Sequence, residues 1–270
     1  MFSLLPIPVK HSSPFYNLGE GFTALTKKAY NTSKIHHHCG KAMNVQASFS
    51  QNAHAYGRVN IIQQKVLEAL IAKISDTPAR ILDIGCGRGG VYEAIDWQIE
   101  QLVGIDFAPG MLALHPQNDH ITLLQQDFNE PAVFKMLQAK TFDRIISSSA
   151  LQWASDLDAT LANIASLNTP VSLSIFTSGT FKTLHETAGI PPLLRSCEEV
   201  KTLAEKHFNA EISTLQYTLA FPSVREMFRY MKQSGVGAGR NILGYKEMKR
   251  VMETYPLDHL EYEIILIHQE

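Results

Sequence analysis

The chain predicts an α/β fold: a doubly wound, seven-stranded, mostly parallel sheet with a helical cap inserted in the C-terminal third. Three observations carry this. Residues 80–90 read Arg-Ile-Leu-Asp-Ile-Gly-Cys-Gly-Arg-Gly-Gly, a short apolar strand running into a glycine-rich turn. A second apolar run, 102–105, ends on Asp106. Strand and helix signals then alternate to residue 176, an order that requires parallel strands and right-handed crossovers.

The elements follow in order. Residues 1–42 hold Pro6, Pro8, Pro14, Gly19 and Gly21 among scattered polar residues and sustain no period. They read as a flexible tail, and Met43 offers an alternative start of translation. His36-His37-His38-Cys39 invites a metal, but adjacent histidines point in different directions and no second ligand cluster follows, so no metal site is assigned. Val59, Ile62, Val66, Leu67, Leu70, Ile71 and Ile74 form a helical stripe, which Asp76-Thr77-Pro78 stops. Strands are expected at 81–84, 102–105, 121–124, 142–147 and 171–176. Helices are expected at 91–95, after Pro109, at 132–137 with Pro131 in the first turn, and at 157–167.

The last third changes character. Ser196-Cys-Glu-Glu199 and Ser223-Val-Arg-Glu226 are capping-box patterns and start helices near 197–207 and 224–233. A strand at 212–221 lies between them. Ser234-Gly-Val-Gly-Ala-Gly239 is a flexible break, followed by a short helix near 245–253 and a strand at 260–268. Segments 178–200 and 222–256 are long enough to cap the ligand edge of the sheet. The domain proper spans 43–270.

Composition narrows the function. The 270 residues are 45% hydrophobic and 19% charged, which suits one globular domain. The net charge of −2 argues against a general nucleic-acid binder. No apolar run reaches the ~18 residues of a membrane span, and the first residues lack a signal peptide's basic start. Three unpatterned cysteines read as free thiols, which points to the cytoplasm.

The glycine turn implies a nucleoside. Gly85 and Gly87 remove side chains where backbone meets ligand, and Asp106 reaches the same sheet edge, where a carboxylate accepts ribose hydroxyls. Gly85-x-Gly87-x-x-Gly90 also satisfies the dinucleotide fingerprint. Three details favour S-adenosylmethionine instead. Asp83 sits inside the strand end, placed to organise the loop and help hold a cationic amino acid. Asp127-Phe128 closes the third strand, suited to an adenine amine and ring. Met111 is placed for the other adenine face. Cys86 reads as a small filler of the turn.

Asp83-Ile-Gly-Cys-Gly87, Asp106, Asp127-Phe128 and the seven-strand layout resemble the class I S-adenosylmethionine-dependent methyltransferases. Within them the chain resembles the malonyl-[acyl-carrier protein] O-methyltransferases of bacterial biotin synthesis. The likeness runs from about Ser48 to the end. Phe49, Ala53-His-Ala-Tyr56 and Gln63 are similar to that family's N-terminal lid, placed here at 43–75. Ser149-Ala-Leu-Gln-Trp153, Gly179-Thr-Phe-Lys-Thr-Leu-His185 and residues 221–238 are similar to its later segments and substrate cap. Gln233-Ser234 is an insertion, and residues 1–42 have no counterpart.

The resemblance implies S-adenosylmethionine as cofactor, methylation of a free malonyl carboxyl, and an acyl carrier protein as partner, with neither nucleic acid nor membrane involved. It implies cofactor contacts from Asp83, Gly85, Cys86, Gly87, Asp106, Phe107, Met111, Asp127, Phe128 and Ser148, and catalytic roles for Tyr56, His185 and Lys232. Each role has a plainer alternative. Tyr56 either meets the sulfonium or amino-acid end, or packs a lid. His185 either bonds the substrate or is a satisfied helix histidine. Gln152 and Trp153 line an acceptor pocket or pack the core. Arg229, Lys232, Arg240, Lys246, Lys249 and Arg250 dock an acidic carrier or form a solvated face.

The chemistry asks little of a base. A malonyl carboxylate is already ionised near pH 7. Alignment and exclusion of water are what remain. Rival readings are methylation of another carboxylate or small molecule, a dinucleotide oxidoreductase, and a non-catalytic carrier-binding module.

Overall fold

The computed structural model describes residues 61–234 and 244–270, with residues 232–234 in backbone only. The expectations for the tail, His36–Cys39, Phe49, Tyr56, Arg240 and the glycine break after Ser234 lie outside the described residues, as does the Lys232 side chain.

The strands are β1 (Arg80–Ile84), β2 (Gln101–Asp106), β3 (Ile121–Gln125), β4 (Arg144–Ser148), β5 (Val171–Phe176), β6 (Glu211–Ala220) and β7 (His259–His268). They form one seven-stranded sheet in the order β3-β2-β1-β4-β5-β7-β6. The first five pair in parallel, whereas β7 runs antiparallel to both β5 and β6. The strand order reverses between β1 and β4, so the crevice at their carboxyl ends is the expected ligand site.

The central strands β1, β2, β4 and β5 are covered on both faces and buried along nearly all their length, whereas β6 at the edge alternates with exposed residues. Successive residues serve opposite faces. Leu82, Val103 and Ile145 pack with α4 (Pro131–Leu137), α5 (Leu157–Ala165) and α7 (Cys197–His207). Ile81, Leu102 and Ile146 belong to the other face, with α1 (Ile61–Ile71), α2 (Gly90–Ala94), α6 (Lys182–Ala188), α8 (Val224–Ser234) and α9 (Tyr245–Thr254). A four-residue helix, α3 (Pro109–Leu112), and a 3-10 turn at Leu151–Trp153 complete the described elements.

The caps show why the helices start where they do. Asp156 Oδ1 accepts from the Ala159 N–H at 3.0 Å, Ser196 Oγ from Glu199 at 3.1 Å, and Ser223 Oγ from Glu226 at 3.2 Å. The box at Ser196 is only half formed, because Glu199 Oε1 faces Arg195 Nε at 3.3 Å instead of reaching back. From β1 onward, two boundaries differ from expectation by two residues, the others by one at most. The fourth strand starts at Arg144 and not at 142, since the Asp143 carboxylate accepts the Arg80 N–H at 2.8 Å and holds that approach through a side chain. The helix after Asp156 ends at Ala165, and Asn168 then takes a left-handed φ of 50°.

β5 pairs with β7 only from Ile264 to His268, while β6 pairs along all of β7. The outer half of β7 and its β6 partner therefore extend past β5 as a two-stranded ribbon. Met227 of α8 and Val251 of α9 bury into the same apolar face as Leu260 and Tyr262 of that ribbon.

Candidate active site

The site is built from the ends of β1, β2 and β4. The turn after β1 is stitched to β2 by its backbone, since the Gly85 and Cys86 N–H groups both donate to Ile105 O, at 2.8 and 3.0 Å. Gly85 has φ +73°, and a Cβ there would lie 2.3 Å from Ala150 Cβ, so only glycine lets the segment after β4 close on this turn. Gly104 in β2 leaves space beneath it, where a Cβ would stand 2.8 Å from Cys86 Sγ. Cys86 fills that space, and burial pushes its thiol far above the usual range.

Two carboxylates stand at this edge in different states. Asp106 is buried, yet Oδ2 accepts from Gly87 N–H at 2.9 Å and Oδ1 from Ala108 N–H at 2.8 Å. Its pKa is raised, because burial outweighs those two bonds. Asp83 is 1% exposed, and neither of its oxygens has a hydrogen-bond partner among the described residues. Burial, and then the charge of Asp106, raise it well above the usual carboxylate range. This corrects one expectation. Asp83 does not organise the loop; Asp106 does, because the loop N–H groups face β2.

These groups line a cavity of about 520 Å³. Of the expected cofactor residues, Asp83, Gly85, Cys86, Gly87, Asp106, Phe107, Met111, Phe128 and Ser148 lie in its wall. Asp127 is not among the described lining residues. Its Oδ1 accepts from the Asn129 backbone N–H at 2.9 Å and Nδ2 at 2.7 Å, and Asn129 Oδ1 accepts from Ser155 N at 2.8 Å. Asp127 thus braces the loops beside the cavity, while its neighbour Phe128 faces in. Trp153 lines the wall, whereas Gln152 turns away and donates to Ser149 O at 2.6 Å.

His185 lies on α6, half-buried, outside the described lining. Its Nδ1 is buried with no hydrogen-bond partner among the described residues, and burial lowers its pKa. Lys232 lies near the end of α8. Gln64, Arg88 and Glu93 also line the cavity and went unremarked in the sequence. For Arg88 the signal was there: it is the one charged residue within Gly85–Gly90.

The chemistry of the wall suits S-adenosylmethionine. Each Asp106 oxygen keeps a lone pair beyond its backbone bond, as a ribose diol needs. Phe128 and Met111 offer apolar faces for a purine. Asp83 is a buried acid with no hydrogen-bond partner among the described residues, as suits a cationic ligand.

Comparison with known proteins agrees. The family described as Methyltransferase domain matches residues 81–170. The fold and site define a class I S-adenosylmethionine-dependent methyltransferase. The chain is 28% identical over 235 residues to the malonyl-[acyl-carrier protein] O-methyltransferase of Anoxybacillus flavithermus, covering 78% of this chain and 88% of that one. It is 30% identical over 215 residues to the protein of the same name from Serratia marcescens, covering 72% and 78%. Among solved structures, the YcgJ protein of Bacillus subtilis superposes with a TM-score of 0.51 at 13% identity, over 76% of this chain and 98% of that one, a likeness of fold. The chain belongs to the malonyl-[acyl-carrier protein] O-methyltransferase family.

Proposed function

We propose that this chain methylates the free carboxyl of a malonyl group carried by an acyl carrier protein, a step of biotin synthesis. One observation carries the reading: the likeness to proteins of that name spans 215 to 235 residues, well beyond the methyltransferase domain at 81–170. It therefore takes in segments outside the cofactor half, where an acceptor is chosen.

S-adenosylmethionine supplies a methyl group on a sulfonium, open to in-line displacement by an oxygen. The chain's residues then bind, orient and keep out water. Asp106 holds the ribose, with Phe128 and Met111 on the adenine and Asp127 bracing the turn that carries Phe128. Asp83, in the floor, offers its carboxyl to the cationic end. Phe107 and Trp153 add apolar wall, which favours a step that neutralises charge. No residue need take a proton, because the acceptor is ionised already. Tyr56 of the lid is assigned to the sulfonium or amino-acid end of the cofactor, and His185 on α6 and Lys232 on α8 of the cap to the acceptor. A single cation there orients a carboxylate without quenching it.

The test is mass spectrometry of malonyl- and acetyl-acyl carrier protein, each incubated with S-adenosylmethionine and the chain. The expected result is one added methyl on the malonyl form alone. Methyl on both forms, or on neither, overturns the assignment of the acceptor.

A further inference from the structure

Among the described lining residues of the cavity, Arg88 is the one cation, facing three acids: Asp83, Asp106 and Glu93. It forms no ion pair with any of them. Its Nε is buried with no hydrogen-bond partner among the described residues. Arg88 is half-buried and an arginine does not shed its proton, so its guanidinium keeps donors for a ligand that brings acceptors. Its planar fork matches a carboxylate, which it takes in two parallel hydrogen bonds.

Place and charge say which carboxylate. Arg88 follows Gly87, whose N–H is bonded to Asp106 Oδ2 at 2.9 Å, so it stands one residue from the anchored end of the cofactor loop. Gln63 and Gln64 of α1 line the same cavity. S-adenosylmethionine carries a sulfonium, an ammonium and one carboxylate. The acids of the cavity suit its cationic and hydroxyl groups and leave that carboxylate to Arg88. A forked grip on the attacking carboxylate of the acceptor would instead stabilise the ground state and slow the reaction.

We propose that Arg88 binds the α-carboxylate of the cofactor's amino-acid end and thereby distinguishes the cofactor and its product from nucleosides lacking that end. The inference rests on the cofactor and not on the identity of the acceptor.

The test is calorimetric titration of the full chain with S-adenosylhomocysteine and with 5′-methylthioadenosine, which keeps the nucleoside and thioether but has no amino acid. Arg88→Met should weaken S-adenosylhomocysteine about 10- to 100-fold and leave 5′-methylthioadenosine nearly unchanged. Arg88→Lys should fall between, retaining charge without the fork. A parallel loss for both ligands would mean a deformed loop and overturns the proposal. So would unchanged S-adenosylhomocysteine affinity with a raised KM for the acceptor, which would move Arg88 to the acceptor's carboxylate.

Discussion

Asp106 Oδ2 accepts the Gly87 N–H at 2.9 Å, and this bond joins the end of β2 to the glycine loop after β1. One carboxylate thus shapes the cofactor loop and still presents lone pairs to the cavity. Loop geometry and ligand affinity are coupled through it.

Asp106→Ala should therefore weaken S-adenosylhomocysteine binding by roughly 1.5–3 kcal/mol, the range for hydrogen bonds to a charged group. Asp106→Asn should lose less, since its carbonyl keeps one of the two backbone bonds. Calorimetry checks this; an unchanged affinity in Asp106→Ala would remove the residue from the site.

Asp83 predicts a pH dependence of stability in the ligand-free protein. Its folded pKa is raised by burial and then by Asp106. Between the unfolded pKa of about 3.9 and the raised folded value, the native state binds more protons than the unfolded one. Stability is therefore full below pH ~4 and falls as pH rises through the folded value. Asp83→Asn removes that loss, so its Tm advantage over wild type should be larger at neutral pH than at pH 4. The same variant should bind S-adenosylmethionine more weakly, having lost a potential anion. A Tm difference independent of pH would show that Asp83 does not titrate this way.

Arg144 tests the opposite edge of the sheet. It is 1% exposed at the start of β4, and it donates to Gln269 O at 2.7 Å, Ser172 Oγ at 3.2 Å and Asp76 Oδ2 at 2.9 Å. Arg144→Met should cost about 1.5–3 kcal/mol in urea denaturation through its lost charged hydrogen bonds. Asp76 is half-exposed and rehydrates, so Asp76→Asn should cost under ~1 kcal/mol. Affinity for S-adenosylhomocysteine should be unchanged in both. A loss of affinity would mean that this network supports the ligand edge.

α9 carries Lys246, Lys249 and Arg250 on its exposed surface, with Lys249 Nζ 3.7 Å from Glu253 Oε1. If an acidic carrier docks there, Lys246→Glu with Lys249→Glu should lower kcat/KM for malonyl-acyl carrier protein and spare a short malonyl thioester. The gap should shrink at high salt, where screening already slows the wild type. Equal losses on both substrates would end the docking account.

Much of the cofactor half was legible in the residues themselves. The apolar run at 80–84, the glycines after it and the acid at 106 are local signals, and a strand–turn–strand unit leaves few other arrangements. His185 and Asp127 show the limit. Each stands beside a motif that reads well, yet neither lies in the described cavity wall, because the direction of a side chain depends on its tertiary neighbours. Asp127 is drawn to Asn129, and Asn129 to Ser155.

By itself the sequence determined the alternation of strands and helices, the glycine turn, the helix starts at Ser196 and Ser223, and the nucleoside character of the site. These depend on periodicity, on missing side chains and on bonds between residues a few positions apart. Tertiary structure alone decided that β7 lies antiparallel between β5 and β6, that Arg144 is buried, that Asp106 and not Asp83 grips the loop, and that Arg88 lines the cavity. Each is a matter of which distant groups become neighbours. Desolvation and hydrogen bonding act on a side chain only once those neighbours are in place.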